Sequence, residues 1–232
     1  MSLLSGHIGS SGFDLAPLDP VPSAWPVYTK TAETDALPVA LSDVREFIGL
    51  PSGDTSRDTE LTAFAKAATR AVEHHCQMSI LDTTWQAAMP DFGERIALNK
   101  RPFKAVSLIE YVHELTGTIT AVNGETFYDV QVGQQMGMVF LGKDKMWPNE
   151  QATRHDAVRV TFTAGYGVDD TTVPEDIKHA ILMTVAAMDA KRGDCDDGGG
   201  SVYAMKNSTP SIIPAAAQPL LGPYMYRHLA VA

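Results

Sequence analysis

The chain has 232 residues, 44% of them hydrophobic, enough for one large or two small domains with a real core. Its 28 acidic residues outnumber 18 basic ones, giving a formal charge of -10 and a pI near 5.0, a balance that argues against broad gripping of nucleic acid. No segment approaches the roughly 20 apolar residues of a membrane span, no charged n-region precedes an apolar run near the amino terminus, and two cysteines, Cys76 and Cys195, do not make a disulfide framework.

Residues 1–37 are rich in glycine, serine and proline, including Gly9-Ser10-Ser11-Gly12, Pro17, Pro20, Pro22 and Pro26, and read as an extended arm. Its apolar residues Phe13, Leu15, Val21, Trp25, Val27 and Tyr28 either lie along a neighbour or belong to an arm that packs on its own domain or is simply disordered. The run Leu41-Ser42-Asp43-Val44 predicts a short helix with Ser42 as its N-cap, ending at Gly49 and Pro51. Asp58 is expected to cap a longer helix that carries Leu61, Phe64, Ala65, Ala68, Val72 and Cys76 on one face, whose alanines let a second helix approach closely.

From residue 83 the apolar period changes to two. Strands are predicted over 83–89, 95–98, 106–112, 117–122, 127–132 and 137–141, and Asn123-Gly124 signals a type I′ hairpin because both residues tolerate positive φ. A last strand follows, with Val158, Val160 and Phe162 alternating with Arg159, Thr161 and Thr163, and Gly165 and Gly167 end it. Val173 and Pro174 then open a helix running to Arg192, and its stripe Ile177, Ala180, Ile181, Thr184, Ala187 and Met188 needs a partner helix. Residues 193–213 read as a flexible linker. In residues 214–232 a short broken helix is expected, with Leu220, Leu221, Tyr224, Met225 and Leu229 near helical spacing and Pro219 and Pro223 interrupting it. The fold class is therefore α+β: a helical core within 38–192, a β module inserted at about 83–164, an arm before it and a tail after it.

Site chemistry is sparse. His74, His75 and Cys76 are successive helix residues that point about 100° apart and cannot converge on one metal ion. His179 stands four residues after Glu175, the spacing of a surface ion pair. The run Asp194-Cys195-Asp196-Asp197-Gly198 starts like a calcium loop but places Met205 where the bidentate glutamate is needed, so it reads as a solvated acidic linker. No phosphate-cradling loop, zinc-protease helix, nucleophile elbow or paired CxxC occurs. The expectation is no catalysis, no cofactor and no metal. Lys100, Arg101 and Lys104 form the densest basic cluster, interleaved with Pro102 and Phe103. They are either solvated loop charges beside a buried Phe103, or contacts to an acidic partner or passing DNA.

The ordered set of LSDVREFIGL, DTELTAFAKAATRAVEHH, TTWQAAM, NKRPFKAVSLIEYV, VRVTFTAGYG with its VPEDIKHAILM helix, and the terminal QPLLGPYMYRH is similar to the head-to-tail connector (adaptor) family of tailed bacteriophages and phage-like particles. The similarity covers roughly 38–192 and 214–227; the order of segments carries it. Two features depart from the family: Gln77-Met78-Ser79 replaces a small-residue turn, and the arm has no matching counterpart.

The resemblance implies a structural virion adaptor. Such a protein assembles as a ring, in the family a dodecamer, between the portal protein and a tail-side completion or stopper protein, and DNA passes through it without sequence-specific binding. It would reside in the neck of the particle, and in the host cytoplasm before assembly, with no membrane involved. Apolar residues on a tether, exposed or only loosely packed in the free chain, mark a segment that orders on its partner, so Leu220, Leu221, Tyr224, Met225, Tyr226 and Leu229 are the expected portal-binding residues; the competing reading is that this short helix folds back on the helix ending at Arg192 and completes the core. The lumen is expected to be net negative despite Lys100, Arg101 and Lys104. The competing class is a small enzyme or cytosolic regulator sharing the element order, which would show convergent titratable groups or a basic face.

Overall fold

A computed structural model describes residues 26–51, 53–132, 136–191 and 212–225. Its helices are α1 (Leu41–Phe47), α2 (Asp58–Cys76), α3 (Glu175–Ala190) and α4 (Gln218–Leu221). The buried stripe of α2 is Leu61, Ala65, Ala68, Val72 and Cys76, and that of α3 is Ile177, Ala180, Ile181, Thr184 and Val185. Alanines on both stripes let the two backbones come close, so the long helices meet along their lengths and share one core. Met188, expected on the stripe, is only half-buried, and Val185 takes its place.

Charge fixes the ends of these helices. Arg45 donates to both oxygens of Asp58 at 2.8 and 2.9 Å, tying α1 to the start of α2. Arg57 bridges Glu60 of the same first turn and Asp189 at the end of α3, so the two long helices run antiparallel. These pairs correct the expected caps. Asp58 lies inside the helix because Arg45 holds its carboxylate, and Ser42 follows the cap position Ala40, its hydroxyl donating to Asp43 instead.

The β part holds β1 (Val27–Glu33), β2 (Thr83–Met89), β3 (Arg95–Leu98), β4 (Phe103–Val112), β5 (Ile119–Ala121), β6 (Phe127–Val132), β7 (Met136–Leu141) and β8 (Val158–Ala164). A five-stranded antiparallel sheet has the order β1-β2-β8-β4-β5, and a three-stranded one the order β3-β7-β6. Val158, Val160, Phe162 and Ala164 of β8 are buried while the residues between them are half-exposed, the alternation that the sequence shows. These side chains join Ala87, Ile109, Leu98, Val139 and Phe103 in a second core fed by both sheets. Phe92 stacks on Trp147 within it, ring centroids 4.8 Å apart.

The last residues of the arm pack on the chain's own sheet, one of the readings the sequence leaves open, with β1 pairing with β2 from Val27 opposite Ala88 to Glu33 opposite Thr83. One expectation is corrected here. Asn123-Gly124 makes no hairpin. Asn123 sits at φ -60° and accepts the Glu125 N–H at 3.0 Å, starting a 3-10 turn over Gly124–Thr126. The reason is topological: β5 pairs with β4 and β6 with β7, so the segment carries the chain between sheets.

The two cores meet at a narrow junction of backbone hydrogen bonds. Ser79 N–H donates to the Arg101 carbonyl at 2.7 Å, Gly165 N–H to Pro102 at 2.8 Å, Tyr166 N–H to Ile80 at 3.0 Å and Asp82 N–H to Gly167 at 2.8 Å. Gly165 has φ 146°, and a Cβ there would stand 2.5 Å from the Leu81 carbonyl group. The glycine after β8 thus lets the strand pass against the chain leaving α2. Gly165→Ala is expected to cost about 3 kcal/mol, since both φ and the backbone clash oppose it; urea unfolding of the two proteins checks this, and an unchanged midpoint would contradict the junction as described.

Candidate functional site

The basic cluster does not act as a unit. Arg101 is 5% exposed. Its guanidinium donates to the Cys76 carbonyl at 2.8 Å and reaches the Tyr224 carbonyl at 3.4 Å. The acceptor at Cys76 belongs to the C-terminal end of α2, where unsatisfied carbonyls and the helix dipole favour a cation. Arg101 is therefore a clasp joining the turn after β3, the end of α2 and the C-terminal segment, which corrects its expected exposure to DNA or a partner. Lys104 pairs with Asp82 at 2.7 Å. Phe103 is buried, as the structural reading of this turn expects.

Lys100 turns the other way. Its ammonium lies 4.3 Å from the Trp85 ring centre and 5.4 Å from that of Tyr28, and Lys30 lies 5.7 Å from Trp85 on the same side. These side chains, with Arg70 and Glu73 of α2, line an open cleft of about 550 Å³. The Trp85 indole N–H donates to the Ser79 hydroxyl at 3.0 Å, which fixes the ring plane. Burial and then the neighbouring Lys30 push the Lys100 ammonium below the usual lysine range, with Glu73 opposing. Burial raises the Glu73 carboxyl, although its carboxylate accepts the Ile80 N–H at 2.9 Å. Sequence reasoning missed this cleft because its residues come from β1, α2, β2 and the turn after β3. A tryptophan on a strand beside a lysine-rich turn was the only local signal.

The C-terminal residues are only partly where they were expected. Leu221 is fully buried with Ile213 and Ala217, and Leu220 and Tyr224 pack against the same helical core. Loose packing is thus corrected for Leu220, Leu221 and Tyr224, which follow the competing reading: α4 folds back against α3 and completes the helical core. Tyr224 also donates its hydroxyl to Asp176 at 3.4 Å. Met225 is 38% exposed. Tyr226, Leu229, Cys195 and the acidic run near it lie outside the described residues.

His179 stacks edge-on against Phe47, centroids 5.6 Å apart, while Glu175 pairs with Lys178 at 2.5 Å, so the expected Glu175–His179 pair is corrected. Among the described residues no three His, Cys, Asp or Glu side chains are placed to hold a metal ion, and no helix is long and apolar enough to cross a membrane.

The architecture is that of an α+β fold whose helices pack at one end of an antiparallel β module. No protein-family profile and no curated protein sequence matches the chain. Solved structures do. The fold is shared with a chain in the neck of an empty gene transfer agent (GTA) particle computed with C6 symmetry, with a TM-score of 0.66, 18% identity, and 89% of this chain and 98% of that chain covered. A chain of the native GTA virion gives 0.64 at 18% identity over 88% and 98%. A chain in the neck of the native particle computed with C12 symmetry gives 0.62 at 18% over 89% and 98%.

The clasp makes two measurable demands. Arg101→Met leaves the Cys76 and Tyr224 carbonyls without this donor and is expected to cost about 1–3 kcal/mol, with faster proteolysis at residues 212–225. Burial also pushes the Cys76 thiol up to about 11, with Arg101 opposing. A raised folded-state value means that this contribution to stability is complete below the unfolded thiol's ordinary value and is lost as pH rises through about 11. In the folded protein Cys76 should resist a thiol reagent at pH 8, and Cys76→Ala should flatten the fall in stability between pH 9 and 11.

Proposed function

We propose that this chain is a structural subunit of the neck of a phage-like particle, forming a ring between the portal protein and a tail-side completion or stopper protein. The observation that carries the reading is the shared fold with GTA neck chains, nearly end to end on their side, in particles whose necks were computed with C6 and C12 symmetry. A ring of identical subunits follows naturally from such symmetry, since one heterologous contact repeats until it closes. The resemblance of the ordered sequence segments to the head-to-tail connector family supports the same assignment, including a dodecamer.

In this reading the portal is met by the end of the chain. Leu221 and Leu220 act from inside, anchoring the segment on α3, whereas Met225 is exposed and leads directly to Tyr226 and Leu229. DNA passes through the ring without sequence-specific contacts, and the lumen wall is net negative, in keeping with a charge of -10.

Deleting the gene from a producing strain should yield filled heads without tails by electron microscopy; tailed particles of normal appearance would overturn the adaptor role. Truncation after Met225 separates docking from folding. The shortened subunit should keep its melting temperature, because α4 remains, yet fail to join portal-containing heads. Normal incorporation would remove the portal-binding role from Tyr226 and Leu229.

A further inference from the structure

The cleft around Trp85 is lined by three cations, Lys30, Arg70 and Lys100, and by one carboxylate, that of Glu73. Lys100 and Arg70 form no salt bridge with any described carboxylate, although the whole chain is strongly acidic. Lys30 has Glu33 as its partner, and Glu73 is occupied by the Ile80 N–H. Trp85 and Tyr28 remain half-exposed between these cations. Burial, and then the neighbouring Lys30, cost the Lys100 ammonium proton affinity, and the faces of Trp85 and Tyr28 and the carboxylate of Glu73 offset only part of that cost. An acidic, apolar segment would relieve it.

We propose that residues 13–25 of the same chain fold back into this cleft, placing Asp14 or Asp19 against Arg70 and Lys100 and proline rings against Trp85 and Tyr28. The segment FDLAPLDPVPSAW contains Asp14 and Asp19 and no basic residue. Pro17, Pro20 and Pro22 lower the entropy lost on docking, and aromatic clefts take proline-rich chain in this way. The segment also ends where the cleft begins, since Pro26 stands two residues before Tyr28. From Pro26 back to Asp19 the chain spans at most about 23 Å, enough to reverse and cross the cleft.

The other segments outside the described residues fit less well. Residues 226–232 carry Arg227 and no acid, the wrong sign for this site. Residues 192–211 hold Asp194, Asp196 and Asp197, but they leave from the end of α3, beside Arg57 at the start of α2. The cleft lies at the other end of that 19-residue helix, about 28 Å away. The proposal is independent of the neck assignment, because it concerns the isolated subunit.

The test uses the full chain. Chymotryptic cleavage after Phe13 and Leu15 should be slow in the native protein and roughly five- to tenfold faster in Arg70→Glu/Lys100→Glu, with the melting temperature unchanged. Adding Asp14→Lys/Asp19→Lys to that variant should restore slow cleavage, and 1 M salt should accelerate cleavage of the native protein without any substitution. Carbodiimide treatment of mixed light and isotopically heavy protein should join Asp14 or Asp19 to Lys100 or Lys30 within one chain. Equal cleavage rates, no rescue by the charge swap, or cross-links found only between light and heavy chains would overturn the proposal, the last by assigning the cleft to a neighbouring copy.

Discussion

The arrangement of the chain depends on one buried cation. Arg101 is nearly withdrawn from water and directs its guanidinium at the Cys76 carbonyl that ends α2 and at the carbonyl of Tyr224. A helix terminus surrounded by protein leaves acceptors that must find donors. One side chain from the β module serves this terminus and, in the same act, holds the C-terminal segment. The return contact, Ser79 N–H to the Arg101 carbonyl, makes the clasp reciprocal. Beside it, backbone bonds near Leu81 and Gly165 and the Trp85 indole bond to Ser79 join the helical core to the sheet core.

Around that clasp the helical layer is built in three parts. Small residues bring α2 and α3 together, the ion pair of Arg57 with Asp189 fixes their register at one end, and Arg45 ties α1 to α2. The third part is α4, which inserts Leu221 beside Ile213 and Ala217. Full burial of a leucine is worth about 1.5–3 kcal/mol, so the chain end gains its own reason to stay on the subunit.

Charge is distributed against the average. The acidic total disfavours phosphate contact, yet Lys30, Arg70 and Lys100 gather around Trp85. Such a local exception, half-desolvated and set against aromatic faces, suits a carboxylate-bearing segment better than a nucleic acid, for which three cations give little affinity at physiological salt.

Local periodicity alone determined a good deal of this fold. The alternation in β8, the strands over 83–89, 95–98 and 127–132, the alanine-rich stripe of α2 and the proline-led α3 all follow from spacing of apolar residues, because each depends on which face a neighbouring side chain occupies. The α+β class followed from their order. What only the tertiary structure decided were the roles fixed by distant partners. Asn123-Gly124 has the composition of a hairpin turn, but strand pairing elsewhere made it a crossing between sheets. Val27–Glu33 lacks an apolar alternation strong enough to stand alone and became a strand because β2 offered an open edge. Lys100, Arg101 and Lys104 are near neighbours in sequence with one charge between them in kind. Their separation into an aromatic-stacked ammonium, a buried clasp and a surface ion pair was set by Trp85, Cys76 and Asp82, which no spacing rule connects to them.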